Sequence, residues 1–221
     1  MTGNGEFGMA AHIGATARGL GIGIASVVLG GALTACGSGA LSDQLAPGAQ
    51  KWADFKTVLA DKDTVKRALP DSAALPGWKG HRPDVSTADG TDEECRGCEI
   101  DGTVEFESGS AKAAFKVITF GSATEASAYL ATTAGEFEKK ADKGATKLSV
   151  PAVGNESVAY TAASGGRPRN VVLMRVGTTF SGVMVQDSTD TARLQALATM
   201  LARRVEQAAA GQPVDAALDT R

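Results

Sequence analysis

Between Arg18 and the cysteine at position 36 lie seventeen residues without a charge, GLGIGIASVVLGGALTA, and this run decides how the rest of the chain is read. It is short, and it holds five glycines, against the roughly 20 predominantly apolar residues that a membrane-crossing helix needs. A positive flank, an apolar stretch and small residues at its end make an export signal, which is removed and takes no part in the fold. The glycines of Gly19-Leu20-Gly21-Ile22-Gly23 follow no strand, so they are no phosphate loop. Met9 offers a second start within the leader, and the reading of the run does not depend on which is used.

The run closes on Leu33-Thr34-Ala35-Cys36, which resembles the lipobox of bacterial lipoproteins. That resemblance implies cleavage by signal peptidase II between Ala35 and Cys36. It also implies that the Cys36 thiol carries a diacylglyceryl group with acyl chains such as palmitate. A buried core cysteine fits poorly, because Gly37-Ser38-Gly39-Ala40 follows it. Each buried methylene adds about 0.8 kcal/mol, so two chains hold where one gives marginal binding. The expected partner is the cell membrane, through lipid, with the protein on its outer face. Residues 1–35 are thus the signal peptide, 36–48 a flexible tether, 49–211 the folded domain and 212–221 a frayed tail.

The whole chain carries 22 Lys and Arg against 25 Asp and Glu, a net charge of -3, without a basic cluster. Nucleic-acid affinity rests on phosphate contacts that such a balance does not supply, so no nucleic-acid partner is expected. With 43% hydrophobic but only 5% aromatic residues, one domain of ordinary size is expected.

Apolar residues at helical spacing predict one or two short helices over 51–60 and 62–69, stopped by Pro70. Leu75-Pro76-Gly77-Trp78 reads as a turn, and 82–94 as an acidic loop closed by Cys95-Arg96-Gly97-Cys98. Strands are expected at 103–107 and 113–120, joined by a hairpin at Ser108-Gly109-Ser110. Ser122-Ala123-Thr124-Glu125 has the form of a capping box, and Ala126, Leu130, Ala134, Phe137 and Ala141 follow it at helical intervals. Strands near 157–162, at 170–176 and at 179–186 then form a meander. A last helix over 190–210 carries Leu194, Leu197, Leu201 and Val205 as one stripe, with Gly211 at its stop. The expected class is α+β, an antiparallel sheet of about five to six strands with the helices packed on one face.

Cys95 and Cys98 are the only cysteines besides Cys36, and an exported chain meets oxidising conditions, so they read as a disulfide. A redox pair wants its cysteines at a helix start, where the dipole lowers a thiol pKa; here the neighbours are acidic and a strand follows. A zinc site lacks ligands, since His81 is the one histidine after Cys36. The acidic loop lacks the calcium-loop spacing. Neither a nucleophile elbow nor a P-loop follows Cys36, so no catalytic residue, metal or cofactor is expected. Trp78 and Trp52 are either core or part of a ligand groove. Arg167 and Arg169 mark a hairpin tip.

Several segments resemble the extracellular sensor-like domains of PknH-type serine/threonine kinases and of stand-alone lipoproteins from high-GC Gram-positive bacteria. They are Leu69-Pro70 to Trp78, Phe115 to Phe120 with Gly121-Ser122 and Glu125-Ala126, Val153-Gly154-Asn155-Glu156-Ser157, and Arg175-Val176-Gly177. The resemblance spans roughly residues 63–209 and implies an antiparallel sheet with helices around a ligand cleft. It departs from the kinase domains in having one short-range disulfide in place of two bridges, and no kinase or transmembrane part. The resulting expectation is a non-catalytic surface domain that binds a small or lipidic ligand or a partner protein. The alternatives are an exported thiol-disulfide oxidoreductase, a lipid carrier, or a scaffold of the envelope.

Overall fold

Residues 170–176 and 179–185 are buried without alternation, as strands are when both faces of a sheet are covered. They form the centre of one antiparallel sheet in the computed structural model, which describes residues 51–91, 95–140, 144–164 and 166–218. In chain order the elements are α1 (Lys62–Ala68), β1 (Lys79–Gly80), β2 (Asp84–Thr87), β3 (Cys98–Ser108), β4 (Ala111–Phe120), α2 (Ala123–Lys140), β5 (Thr146–Lys147), β6 (Glu156–Ser164), β7 (Arg167–Val176), β8 (Thr179–Gln186) and α3 (Thr191–Ala209). The strands run β1-β3-β4-β8-β7-β6-β5 across the sheet, with β2 beside β1 on the same edge of β3.

Eight strands replace the expected five to six. The additional ones, β1, β2 and β5, are two to four residues long and mostly exposed, so no apolar alternation betrays them. β3 begins at Cys98, five residues before the expected start. Its residues alternate buried and half-buried from Cys98 to Phe106, with acidic residues among the half-buried positions.

The helices lie on both faces, which corrects the expectation of a single helical layer. On one face α1 and α3 cover Val104, Phe106, Phe115, Val117, Val172, Met174, Val183 and Val185, and Leu194, Leu197, Leu201 and Val205 of α3 are fully buried there. Each such side chain contributes about 1.5–3 kcal/mol. On the opposite face, α2 sets Tyr129 against Phe120 and Phe180, with ring centroids 5.3 and 4.9 Å away, and Phe137 against Tyr160 at 5.5 Å. Residues 180 and 183 point to opposite sides of β8 because side chains alternate along a strand. One strand therefore feeds two cores.

Ser122 caps α2 as expected, its Oγ accepting from the Glu125 amide at 3.2 Å, while the Glu125 carboxylate takes the Ser122 hydroxyl at 2.9 Å where the full capping box would have it take the Ser122 amide. Asp61 and Asp190 cap α1 and α3 in the same manner. Residues 51–60 form no helix, contrary to expectation. They find partners across the domain instead, on β7, the turn at 177–178 and α3. Residues 212–218, read as frayed, run without regular secondary structure but are held. The Leu218 amide donates to the Ala74 carbonyl at 2.8 Å, and Gln207 bonds Asp215 and Ala216.

Candidate functional site

Cys36 and Ala35 lie outside the described residues, as does the stretch 92–94 of the acidic loop. Cys95 and Cys98 stand at disulfide distance and are bonded, with Cα atoms 5.4 Å apart. Cys98 opens β3 opposite Phe120. The surroundings are acidic: a side chain at Gly121 would touch the carboxylates of both Glu125 and Glu99, and one at Gly97 would touch Glu125. Carboxylates disfavour a thiolate, so this setting works against a reactive thiol. Among the described residues no group of three His, Cys, Asp or Glu is placed to hold a metal ion.

The two tryptophans sit at different stations along α3. Trp78 is buried in the core, and the Arg193 guanidinium lies 4.6 Å from its ring. Trp52 is half-buried, with Arg203 at 4.7 Å, and its Nε1 has no hydrogen-bond partner among the described residues. Ten residues of helix separate the two arginines, about 15 Å of rise. The pair therefore does not line one groove.

Segments 153–157 and 175–177 meet at one structural joint. The Arg175 carbonyl accepts from the Asn155 amide at 2.9 Å, and Asn155 Oδ1 accepts from the Gly177 amide at 2.7 Å. The Arg175 side chain, 7% exposed, donates to Glu156 at 2.8 Å, to Asp54 at 2.7 Å and to the Gly177 carbonyl at 2.9 Å. Burial disfavours its charge, and the carboxylates of Asp54 and Glu156 more than offset this, so its pKa stands above the usual arginine value. Glu156 also accepts from Ser127 of α2 at 2.7 Å; that bond first, and Arg175 after it, hold its carboxyl below the usual range despite partial burial. Phe55 packs where a side chain at Gly177 would stand, and Thr178 donates to the Thr57 carbonyl at 3.0 Å. These motifs thus fasten residues 52–60 to the sheet and bind α2 to β6.

An open cleft of about 730 Å³ lies between α1, the bend at residues 80–83 and the strap at 212–218. Its walls include Lys66, Arg67, Ser72, His81, Pro83 and Val214, with Phe106 beneath. Arg204 of α3 organises it, though only 4% exposed. Its Nε donates to the Ala68 carbonyl at 3.3 Å, and Nη2 to those of Arg67 and Leu69 at 3.0 Å each. Nη1 reaches Val214 at 3.5 Å and Ala216 at 3.1 Å. All five guanidinium N–H groups are used. The carbonyls at the end of α1 are those a helix leaves unsatisfied, so one buried cation caps α1 and moors the strap. Burial lowers the Arg204 pKa from its ordinary value, against the pull of Asp71 and Asp215.

Sequence reasoning passed over this cleft. Its chemistry-bearing residues come from three distant segments, and Arg204 looks like any arginine of an amphipathic helix. The one available signal was a basic residue inside the apolar stripe Leu201 to Val205, where a charge needs a buried partner.

No helix among the described residues is long and apolar enough to cross a membrane. No protein-family model matches the chain, and no curated protein matches it. Among solved structures, it is similar to the crystal structure of the extracellular domain of PknH from Mycobacterium tuberculosis, at 12% identity and a TM-score of 0.43, over 73% of this chain and 98% of that one.

Proposed function

We propose that this chain is a lipid-anchored protein on the outer face of the cell membrane, whose domain binds a ligand without transforming it, in the cleft beside Arg204. The observation that carries the reading is Leu33-Thr34-Ala35-Cys36, set behind an uncharged run and followed, from Trp52, by a folded unit with an open cleft. The cleft is of the size that small-molecule sites have, about 300–1,000 Å³. The bonded Cys95–Cys98 pair suits an oxidising compartment.

Two measurements test the reading. Intact mass after expression in a lipoprotein-processing bacterium should match residues 36–221 plus acyl chains, and Cys36→Ala should abolish both acylation and cleavage. Retention of residues 1–35 in the unaltered chain would remove the anchor and the location together. Native mass spectrometry of the processed protein should then show a retained small molecule. Ser72→Trp, which fills the cleft from its exposed rim, should expel it. A retained molecule indifferent to Ser72→Trp would place binding elsewhere.

A further inference from the structure

Three positively charged or chargeable side chains of the cleft, Lys66, Arg67 and His81, make no ion pair with any described residue. Arg67 bonds the Thr64 hydroxyl at 2.9 Å. Lone cations occur elsewhere on the surface, but these three line one cavity and have a fourth positive charge, Arg204, in its wall. By contrast Lys112, Lys116, Lys147 and Arg167 are each paired with a carboxylate. Two acids also line the cleft, Asp63 and Asp71, and Asp71 lies 4.0 Å from Arg204. Of the permanent charges that line the cleft, three are positive and two negative, with Asp61 and Asp215 acting on Arg67 and Arg204 from outside the lining.

The end of α1 strengthens this field. A helix C-terminus normally presents bare carbonyls and a partial negative charge, which repel an anion. Here those carbonyls accept from Arg204, so the negative end is covered by a cation, and Lys66 and Arg67 stand over it in the last turn. A cleft of about 730 Å³ also exceeds what a bare oxyanion fills.

Resting on the binding reading above, we propose that the cleft takes a phosphate ester, its anionic group held between Lys66, Arg67 and His81. A membrane lipid is one source of that group. A soluble phosphate ester is the other source.

The experiment titrates the processed lipoprotein, in neutral detergent, with glycerol phosphate, with glycerol, and with short-chain phosphatidylglycerol. Glycerol phosphate should bind and glycerol should not. The double variant Lys66→Glu, Arg67→Glu should weaken phosphate binding by about tenfold or more while lowering the thermal midpoint by only a few degrees, since both side chains are exposed and the two new carboxylates oppose the dipole of α1 alone. Tighter binding of phosphatidylglycerol than of glycerol phosphate assigns the lipid source; equal or weaker binding assigns the soluble one. Equal binding of glycerol and glycerol phosphate, or no response to the double charge reversal, overturns the proposal. If phosphate binding fails while the molecule retained by the native protein is still expelled by Ser72→Trp, the anion assignment falls and the cleft reading stands. If both fail, both fall.

Discussion

Arg175 on β7 donates its Nε–H to Glu156 on β6 at 2.8 Å, and the register sets the two residues directly opposite each other. The pair lies on the α2 face of the sheet and joins three parts of the chain, because Asp54 and Ser127 complete it.

Acid should therefore loosen this joint. Glu156 has a depressed folded-state pKa, so its contribution to stability is present above the ordinary value of 4.5 and is lost as pH falls through the folded value. Urea midpoints from pH 7 to pH 3 should show a loss beginning below about 4.5, and Glu156→Gln should lessen that loss. Arg175→Met should cost about 1 kcal/mol at neutral pH, because the two carboxylates it leaves are about half exposed to water and the Gly177 carbonyl loses its donor. An Arg175→Met protein as stable as the parent would show that the joint is ornamental.

Gly154 takes φ +73, and a side chain there would strike the Arg175 carbonyl oxygen. Gly154→Ala should lose about 3 kcal/mol in equilibrium unfolding, combining the left-handed backbone with that collision. Gly109, at φ +62 in open space, is the control: alanine there should cost about 1 kcal/mol. Equal losses at the two positions would refute the close approach.

Arg204→Met should release the strap. With its five carbonyl partners left bare, about 3 kcal/mol should be lost, and the Leu218 amide should exchange at least as fast as those of the α3 stripe. Persistent protection of Leu218 in this variant would mean that its bond to Ala74 holds the strap alone.

Cys95→Ser opens a four-residue ring, for which the chain-entropy estimate is about 2 kcal/mol at most. The variant should stay folded, and the parent protein should fail to reduce insulin in the presence of dithiothreitol above the uncatalysed rate. Turnover by the parent that vanishes in Cys95→Ser would make this chain a redox enzyme.

Tyr160, buried under α2 and donating to Glu138 at 2.7 Å, has its pKa pushed up to about 12, by burial first and by Glu138 second. The unfolded phenol ionises near 10.0, so this contribution is complete below that pH and disappears as pH rises towards about 12. Tyr160→Phe should flatten the alkaline limb of the stability curve and cost about 1 kcal/mol at pH 7. An unchanged alkaline limb would remove Tyr160 from its cause.

The parts of this fold that were legible from sequence are those that local chemistry determines. The capping box at Ser122 and Glu125, the meander through Gly177, and the leucine stripe of α3 each carry their own signal. What escaped was decided by distant partners. Trp52 and Phe55 have helical spacing, yet Asp54, Phe55 and Thr57 are claimed by Arg175, Gly177 and Thr178 from more than a hundred residues away. The strands β7 and β8 were visible, but the meaning of their unbroken burial, a second helical layer, needed α2 placed against Phe180. The tryptophans drew attention as aromatics, whereas the cleft was assembled from an inconspicuous arginine, a short helix and the end of the chain.

The docking of residues 52–60 across the β7–β8 turn has a mechanical side. If the N-terminus is anchored as proposed, tension on it reaches Asp54, Phe55 and Thr57 before it reaches any ladder of the sheet. Peeling residues 52–60 frees nine residues, roughly 30 Å of extended chain. With the proposed anchor, the domain would then keep its sheet and stand farther from the membrane, extending its reach under load in place of unfolding.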